Sequence, residues 1–367
     1  MDGGRTARQL ERMDGVIISA GKTFTAWAPA AIPAKASEGV AAPGMVTISR
    51  AALASMTELP TTPFSNPALT AKGEPRARIA LGTLKTLWFN TGTLCNITCE
   101  NCYIESSPQN DRLVYLTHDE VRVFLDEIST RHHTTEEIGI TGGEPFMNPD
   151  ILPIMHSCLA RGFKLLVLTN AMRPMMRPRV QAGLLDLKSQ FAKQLTFRVS
   201  IDHFDPVLHE QERGPGSWSA MIRGMQWLQR NAFAFHVAGR TRWGDSEAEL
   251  RQGYARVFDE LNIHLDAGDH RSLVLFPEID VTAEVPEITT ACWNILGVDP
   301  SHMMCASSRM VVKHKGDDSP SVMACTLLPY ESDFNLGRSL ADASATVALN
   351  HPSCATFCVL GGGSCSA

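Results

Sequence analysis

Three cysteines lie close together in the segment LCNITCENCY, residues 94–103. Their spacing, three residues and then two, puts three thiols on one tight loop, where thiolates can occupy three corners of a cubane [4Fe–4S] cluster. Structural zinc sites are fully ligated, whereas catalytic ones keep a position open, and we apply the same logic to iron. The sequence therefore predicts a cluster at Cys95, Cys99 and Cys102 with one iron available to an external ligand. A zinc knuckle with a distant fourth ligand is the alternative.

Five further cysteines lie in the last 63 residues of the chain. The first two are separated by 19 residues, and a pair with three intervening residues follows 28 residues later. Four or five thiols in one short segment can supply all four thiolates of a closed iron–sulfur cluster. We expect the ligands to be Cys305, Cys325, Cys354 and Cys358, with Cys365 as the replacement for one of them. A structural zinc site is the alternative.

A glycine-rich motif, Thr141-Gly142-Gly143-Glu144-Pro145, follows the second predicted strand. Glycines let the backbone approach a ligand closely and adopt positive φ angles. A carboxylate at the end of a strand can accept hydrogen bonds from an ammonium group. The motif therefore predicts a ligand site, with a plain turn before a helix as the alternative.

Short apolar runs alternate with amphipathic stretches of helical length from about Leu84 onward. We predict strands over 86–92, 137–141, 163–170, 194–202, 233–239 and 272–279, and helices over 117–130, 150–161, 176–190, 217–230 and 246–261. Thr117 and Ser217 are the expected N-caps, and Glu120 completes a capping box with Thr117. Such alternation indicates an α/β fold of parallel strands joined by crossovers, either a doubly wound sheet or an open partial barrel. In both cases a site lies at the carboxyl ends of the strands.

Three regions of different composition follow one another along the chain. Residues 1–83 are rich in Ala, Pro, Thr, Ser and Gly and lack a helix or strand period, so we expect a poorly structured N-terminal arm. Residues 84–282 form the alternating core. Residues 283–367 carry the second cysteine group and short apolar pieces, which predicts a small cysteine-rich domain organised by metal.

The cysteine loop and the Gly-Gly-Glu-Pro motif resemble those of the radical S-adenosylmethionine (SAM) superfamily. The resemblance implies a partial (β/α)6 TIM-like barrel, a [4Fe–4S] cluster whose open iron binds SAM, and reductive cleavage of SAM to a 5′-deoxyadenosyl radical. The C-terminal cysteines resemble the Twitch or SPASM extension of this superfamily, which implies an auxiliary [4Fe–4S] cluster that accepts an electron.

The resemblance also implies roles for single residues. The segment 142–145 would contact the SAM amino group, and Asn170 ends the next strand as in the family. Ser200 would contact the SAM ribose and Arg213 the SAM carboxylate. The family often has an aromatic residue before the third cysteine; this chain has Asn101 there and Tyr103 directly after it.

Two further positions at strand ends have open interpretations. Asp202 ends the fourth predicted strand, where its carboxylate would act as a catalytic group on a substrate proton or cation, or would anchor the next loop. The segment 239–243, GRTRW, would bind adenine or an acidic substrate, or would be loop surface.

Composition sets the partners that we expect. The formal net charge is −6, which does not favour nucleic acid, and no apolar stretch is long enough to span a membrane. With no signal-peptide pattern, we expect a cytoplasmic enzyme that acts on a peptide or protein side chain or a small metabolite and takes electrons from a flavodoxin or ferredoxin. A non-catalytic iron–sulfur or zinc protein, and a zinc-ribbon nucleic-acid binder, are the competing hypotheses.

Overall fold

The structure, a computed structural model, describes residues 62–130, 134–279 and 284–364. Most of the predicted N-terminal arm, residues 1–61, and the predicted ligand Cys365 lie outside these residues. No helix in the described ranges is long and apolar enough to cross a membrane.

Ten strands are present in the described residues, and eight of them form one sheet. The sheet order is β7-β6-β5-β4-β3-β2-β8-β9, and β1 pairs with β10 separately. Strands β2 to β7 are parallel to their neighbours in chain order, as the alternation predicted. Their bounds are β1 Arg78–Ile79, β2 Thr86–Asn90, β3 Glu137–Thr141, β4 Lys164–Thr169, β5 Leu195–Ser200, β6 Ala234–Arg240, β7 Leu273–Phe276, β8 Ser308–Val312, β9 Ser321–Met323 and β10 Val347–Ala348.

Helices connect the parallel strands. The described helices are α1 His118–Thr130, α2 Ile151–Ala160, α3 Pro178–Phe191, α4 Pro206–Arg213, α5 Ser217–Arg230, α6 Glu247–Glu260 and α7 Cys292–Leu296, with a π-helix over Cys354–Leu360. The capping box is present, because Thr117 N–H donates to Glu120 Oε2 and Glu120 N–H donates to Thr117 Oγ1. The N-cap predicted at Ser217 is wrong: Gly216 holds that position with a φ of 76°.

The C-terminal region contributes two strands to the main sheet. Strand β8 runs parallel to β2, with Phe89 opposite Val311, and β9 pairs antiparallel with β8. The sequence analysis expected strand alternation to stop before this region, so β8 is an addition to the predicted sheet. The end of the predicted arm is also folded, since β1 pairs with β10.

Two clusters of buried apolar side chains stabilise the packing of the strands, the helices and the C-terminal region. The first fills the space between the parallel strands and the helices, with residues such as Phe89, Phe124 and Phe197 fully or almost fully buried. The second joins Trp88 of β2 to Phe357 of the π-helix and to the segments around the C-terminal cysteines. Each fully buried large apolar side chain contributes about 1.5–3 kcal/mol. The second cluster therefore packs the C-terminal region onto the strand that precedes the cysteine loop.

Candidate active site

The three cysteines of the first loop line one cavity at the carboxyl ends of the parallel strands. Cys95, Cys99 and Cys102 follow β2, and the cavity has a volume of about 970 Å³, including space that is open to solvent. The other predicted SAM-binding residues on its wall are Tyr103, Gly142, Gly143, Asn170, Ser200 and Arg213. The structure thus brings together side chains that lie more than 100 residues apart in the sequence.

Backbone contacts explain why the motif beside this loop contains two glycines. Gly143 N–H donates to Gly92 O at 2.8 Å, and Glu144 N–H donates to Leu94 O at 3.3 Å. A Cβ atom on Gly143 would lie 2.4 Å from Leu94 O. Gly142 has a φ of 145°, which a residue with a side chain rarely adopts. The motif therefore lies flat against the segment that carries Cys95.

The Glu144 carboxylate is buried at the start of the 3₁₀ turn Pro145–Met147. It accepts hydrogen bonds from Thr169 Oγ1 at 2.9 Å and from Asn170 N–H at 2.9 Å. Burial raises its pKa from 4.5 to about 7, although the hydrogen bonds from residues 169 and 170 act in the opposite direction. A cationic group that binds beside this carboxylate would stabilise its ionised form, which burial disfavours.

Asn170 connects the end of β4 to the cysteine loop. Its Nδ2 donates to Asn96 Oδ1 at 3.0 Å and lies 3.9 Å from Cys95 Sγ. The amide is therefore held facing the first cysteine.

Asp202 and Arg213 form a buried ion pair. Arg213 Nε lies 2.5 Å from Asp202 Oδ2, and Arg213 Nη2 lies 3.0 Å from Asp202 Oδ1. Burial alone would raise the pKa of Asp202, but the guanidinium lowers it below its usual value. Arg213 is on the cavity wall, whereas the Asp202 carboxylate lies behind it. The pair is suited to fixing the guanidinium rather than to accepting a proton.

Sequence reasoning missed Glu212, which anchors the cysteine loop. Its buried carboxylate accepts hydrogen bonds from Asn101 N–H at 2.8 Å and from Asn101 Nδ2 at 2.9 Å. Arg240 Nη1 also donates to it at 3.0 Å and to Asn101 O at 2.9 Å. The only available signal was the position of Glu212 beside Arg213, so Glu212 could not have been distinguished from a surface residue.

Arg240 does not extend into solvent as a strand-end cation would. Its Nη2 lies 2.6 Å from a Glu278 oxygen, and its guanidinium lies 4.8 Å from the centre of the Tyr103 ring. Tyr103 in turn donates to Pro277 O at 3.1 Å and packs edge-on against Phe357 at 5.9 Å. Arg240 therefore stabilises the cysteine loop through its contacts with Asn101 and Tyr103.

The four C-terminal cysteines that we expected to act together line a second cavity. Cys305, Cys325, Cys354 and Cys358 line a space of about 410 Å³, including space that is open to solvent, together with apolar neighbours. Burial raises the pKa of Cys305 to about 11 and that of Cys354 to about 12. Thiols in such a place become thiolates only when a cationic group compensates the charge, as an iron–sulfur cluster does.

The residues at both cavities fit iron–sulfur clusters. The first site offers three thiols beside a ligand cavity, and the second offers four thiols in an apolar cavity. Within the described residues, no three His, Cys, Asp or Glu side chains approach closely enough to hold a single metal ion. A cubane is larger than one ion and holds its thiolates further apart.

A sheet of parallel strands with a three-cysteine loop and a ligand cavity at its carboxyl edge defines a class of cofactor-dependent α/β protein. Residues 89–240 match the profile of the Radical SAM superfamily. This segment, from β2 to β6, therefore matches a radical SAM domain, as the resemblance indicated.

Two curated relatives match part of the chain. The chain is 26% identical over 147 residues to the AdoMet-dependent heme synthase of Methanosarcina barkeri, covering 39% of this chain and 38% of the relative. It is 28% identical over 145 residues to the antilisterial bacteriocin subtilosin biosynthesis protein AlbA of Bacillus subtilis, covering 39% and 30%. The aligned segments span well under half the length of these relatives.

Two solved structures share the fold over a larger part of the chain. SuiB of Streptococcus suis bound to S-adenosylmethionine has a TM-score of 0.51 at 13% identity, covering 71% of this chain and 64% of that one. Native anSMEcpe with bound AdoMet has a TM-score of 0.50 at 13% identity, covering 70% and 79%. At such identities the likeness shows the fold alone.

Proposed function

We propose that the chain is a radical SAM enzyme whose cluster is held by Cys95, Cys99 and Cys102. The observation that carries this proposal is the convergence of these three thiols, the motif glycines Gly142 and Gly143, and Arg213 on one cavity. When bound, the cluster and SAM together supply a 5′-deoxyadenosyl radical that abstracts hydrogen from a C–H bond.

The chain's own residues bind and orient SAM in this proposal. Gly142 and Gly143 let the ligand approach the backbone, and Pro145 fixes the turn that buries Glu144. The Glu144 carboxylate receives the SAM ammonium group, and Arg213 pairs with the SAM carboxylate. Ser200 contacts the SAM ribose, and Asn170 supplies a further polar contact on the cavity wall.

Asp202 acts in this proposal as a positioning residue. Its two oxygens hold Arg213 in place, and its lowered pKa keeps it ionised at neutral pH. A role as proton acceptor would require a carboxylate that faces the substrate, and the ion pair occupies both oxygens.

The second part of the proposal is an auxiliary [4Fe–4S] cluster at Cys305, Cys325, Cys354 and Cys358, with Cys365 as a replacement ligand. Four protein thiolates leave no iron open, which suits electron transfer better than substrate binding. The reaction is then a net oxidation, and a flavodoxin or ferredoxin supplies the reducing electron at the first cluster.

We favour a peptide or protein side chain as the substrate over a small metabolite. A cleft of about 1070 Å³, including open space, lies beside the first site and is lined by Cys102, Tyr103, Leu328, Tyr330 and His351. It shares walls with both cysteine cavities, so an extended chain lying in it reaches the space between them. The similarity to a bacteriocin biosynthesis protein is consistent with this choice.

The central experiment measures SAM cleavage after anaerobic reconstitution with iron and sulfide. With dithionite as reductant, the native chain should release 5′-deoxyadenosine, and Cys99→Ala should release none. Cys158→Ala is the matched control, because Cys158 is a fully buried cysteine of α2 outside both cavities. A non-catalytic iron–sulfur or zinc protein predicts no 5′-deoxyadenosine from any variant.

Iron content tests the auxiliary cluster. Two cubanes require about eight irons per chain and one requires about four. Cys354→Ala should lower the content toward four while the EPR signal of the first cluster still changes on SAM addition. Cys292→Ala removes a partly buried cysteine whose sulfur accepts from Thr289 N–H and should leave the iron content unchanged.

The substrate class is tested with a deuterated cell extract dialysed into macromolecular and small-molecule fractions. Hydrogen abstraction transfers deuterium to 5′-deoxyadenosine, which mass spectrometry detects. Deuterium gained from the macromolecular fraction supports a peptide or protein substrate, and deuterium gained only from the dialysate shows a metabolite.

A further inference from the structure

Ser106 contacts the third cysteine of the loop and lines the active-site cavity. Its backbone N–H donates to Cys102 Sγ at 3.3 Å, and the residue is only 4% exposed. Neither the cysteine spacing nor the resemblance assigns it a role.

The backbone around Ser106 is held in an unfavourable conformation. Glu105 has a φ of 53°, in the left-handed region that residues with side chains avoid. Three contacts keep it there: Glu105 N–H donates to Cys102 O at 3.0 Å, Asn110 Nδ2 donates to Glu105 O at 2.7 Å, and Tyr330 OH donates to Ile104 O at 2.9 Å. Strain maintained by several contacts is typical of functional sites. Here the strained turn points the Ser106 N–H at the thiol.

The Ser106 hydroxyl lacks a hydrogen-bond partner among the described residues, although it is buried. An unpaired buried hydroxyl is costly, so such groups normally find a partner. We propose that Ser106 Oγ donates a hydrogen bond to a sulfur of the cluster at Cys102 and thereby sets its reduction potential. This inference rests on the proposed cluster at Cys95, Cys99 and Cys102.

The expected effect has a definite sign. Reduction adds negative charge to the cluster, and a hydrogen bond to sulfur stabilises the more negative state. Ser106→Ala should therefore make reduction harder and shift the potential to more negative values. We expect about a tenfold change in the equilibrium constant for reduction, which is ~59 mV for a one-electron couple.

The experiment is a redox titration of the whole reconstituted protein followed by EPR. The component whose spectrum changes on SAM addition reports the first cluster, so the auxiliary cluster does not interfere. Ser321→Ala is the matched control, because Ser321 Oγ is also buried without a partner among the described residues but lies in β9, away from the cavity. The control should keep the native potential.

A second pair of variants covers the case in which Ser106→Ala loses iron. Ser106→Thr and Ser106→Val have the same shape and differ in the hydroxyl, so Val should have the more negative potential. Equal potentials within this pair, or a Ser106→Ala potential equal to the native one, would overturn the inference. So would weaker SAM binding at an unchanged potential, because the hydroxyl would then donate to SAM. If the native chain shows no SAM-responsive signal, the proposed function itself fails.

Discussion

Glu212 binds Asn101 twice, through the backbone N–H at 2.8 Å and the side-chain Nδ2 at 2.9 Å. The residue immediately before Cys102 is therefore held by the last turn of α4. The resemblance led us to expect an aromatic residue at this position, whereas this chain has an amide whose partner is a buried carboxylate. The loop is shaped by a polar anchor, and Tyr103 supplies the aromatic ring on the other side of the cysteine.

Replacing Glu212 should remove the two hydrogen bonds that hold Asn101 in place. In Glu212→Ala, Arg240 loses one of its two carboxylate partners and Asn101 N–H loses its acceptor, and breaking a buried pair in this way costs about 3–5 kcal/mol. We expect a matching fall in the free energy of unfolding, measured with urea on metal-free protein, and lower iron incorporation at the first site.

Glu210→Gln provides the comparison for this variant. Glu210 lies on the same helix, and its Oε1 accepts from Trp218 N–H at 3.2 Å, a bond that a glutamine oxygen can also accept. This control should bind iron normally. Normal stability and iron content in Glu212→Ala would show that the loop does not depend on the anchor.

The parts of the fold that sequence periodicity predicted are those built from local pattern. Strand β3 and helix α5 have the predicted bounds, because each is a single apolar or amphipathic run between clear breaks. Strand β8 was missed because the short run SRMVV, 308–312, lies outside the alternating region, and its place beside β2 depends on pairing across more than 200 residues.

The residues of the candidate site also divide into those that a short sequence motif predicts and those that only the fold brings together. Cys95, Cys99, Cys102 and the glycine motif were predictable, since each is a short contiguous pattern. The link from Glu212 through Arg240 to Glu278 joins α4, β6 and the segment after β7, and no spacing in the sequence indicates it. The ion pair between Asp202 and Arg213 was also not predictable, because no sequence spacing indicates it and the fold brings the two side chains together.

The ion pair between Asp202 and Arg213 leads to a prediction about SAM binding. Asp202→Asn removes the charge that fixes the guanidinium, so we expect the Kd for SAM to rise by about tenfold, which corresponds to ~1.4 kcal/mol. The rate at saturating SAM should change little. Calorimetry gives the Kd, and initial rates of 5′-deoxyadenosine formation give kcat.

Asp205→Asn is the control for this experiment. Asp205 caps α4 by accepting from Val207 N–H at 2.7 Å and makes no contact with Arg213. A large loss of kcat in Asp202→Asn with unchanged SAM binding would instead identify Asp202 as a catalytic acid or base.

Close backbone packing at Gly143 predicts that even a methyl group is not tolerated. In Gly143→Ala the new Cβ would lie 2.4 Å from Leu94 O, so the segment that carries Cys95 must move. We expect SAM binding to weaken by at least about fivefold and the cluster EPR signal to change, since a core overpacked by one methyl costs about 1–3 kcal/mol. Gly82→Ala, whose Cβ would meet Ala306 O only at 3.6 Å, should bind SAM normally. Native SAM affinity in Gly143→Ala would contradict the close approach of these segments.

The buried carboxyl of Glu144 predicts how stability depends on pH. Its pKa is about 7 in the folded protein and about 4.5 in an exposed chain. Between these values the folded state keeps the proton and the unfolded state has lost it. Glu144 therefore stabilises the folded state fully below pH 4.5, and this stabilisation is lost as the pH rises through 7. At ~1.4 kcal/mol per pH unit, the loss is roughly 3 kcal/mol.

Glu144→Gln removes this titration while keeping an acceptor for Thr169 and Asn170. The free energy of unfolding of metal-free Glu144→Gln, relative to the native chain, should rise by roughly 3 kcal/mol between pH 4.5 and pH 7.5. Urea unfolding at several pH values measures the difference, and Glu247→Gln, which alters an exposed carboxylate paired with Arg251, should show no such trend. A difference that stays constant with pH would mean that Glu144 is ionised throughout this range, and that the hydrogen bonds it accepts offset the cost of its burial.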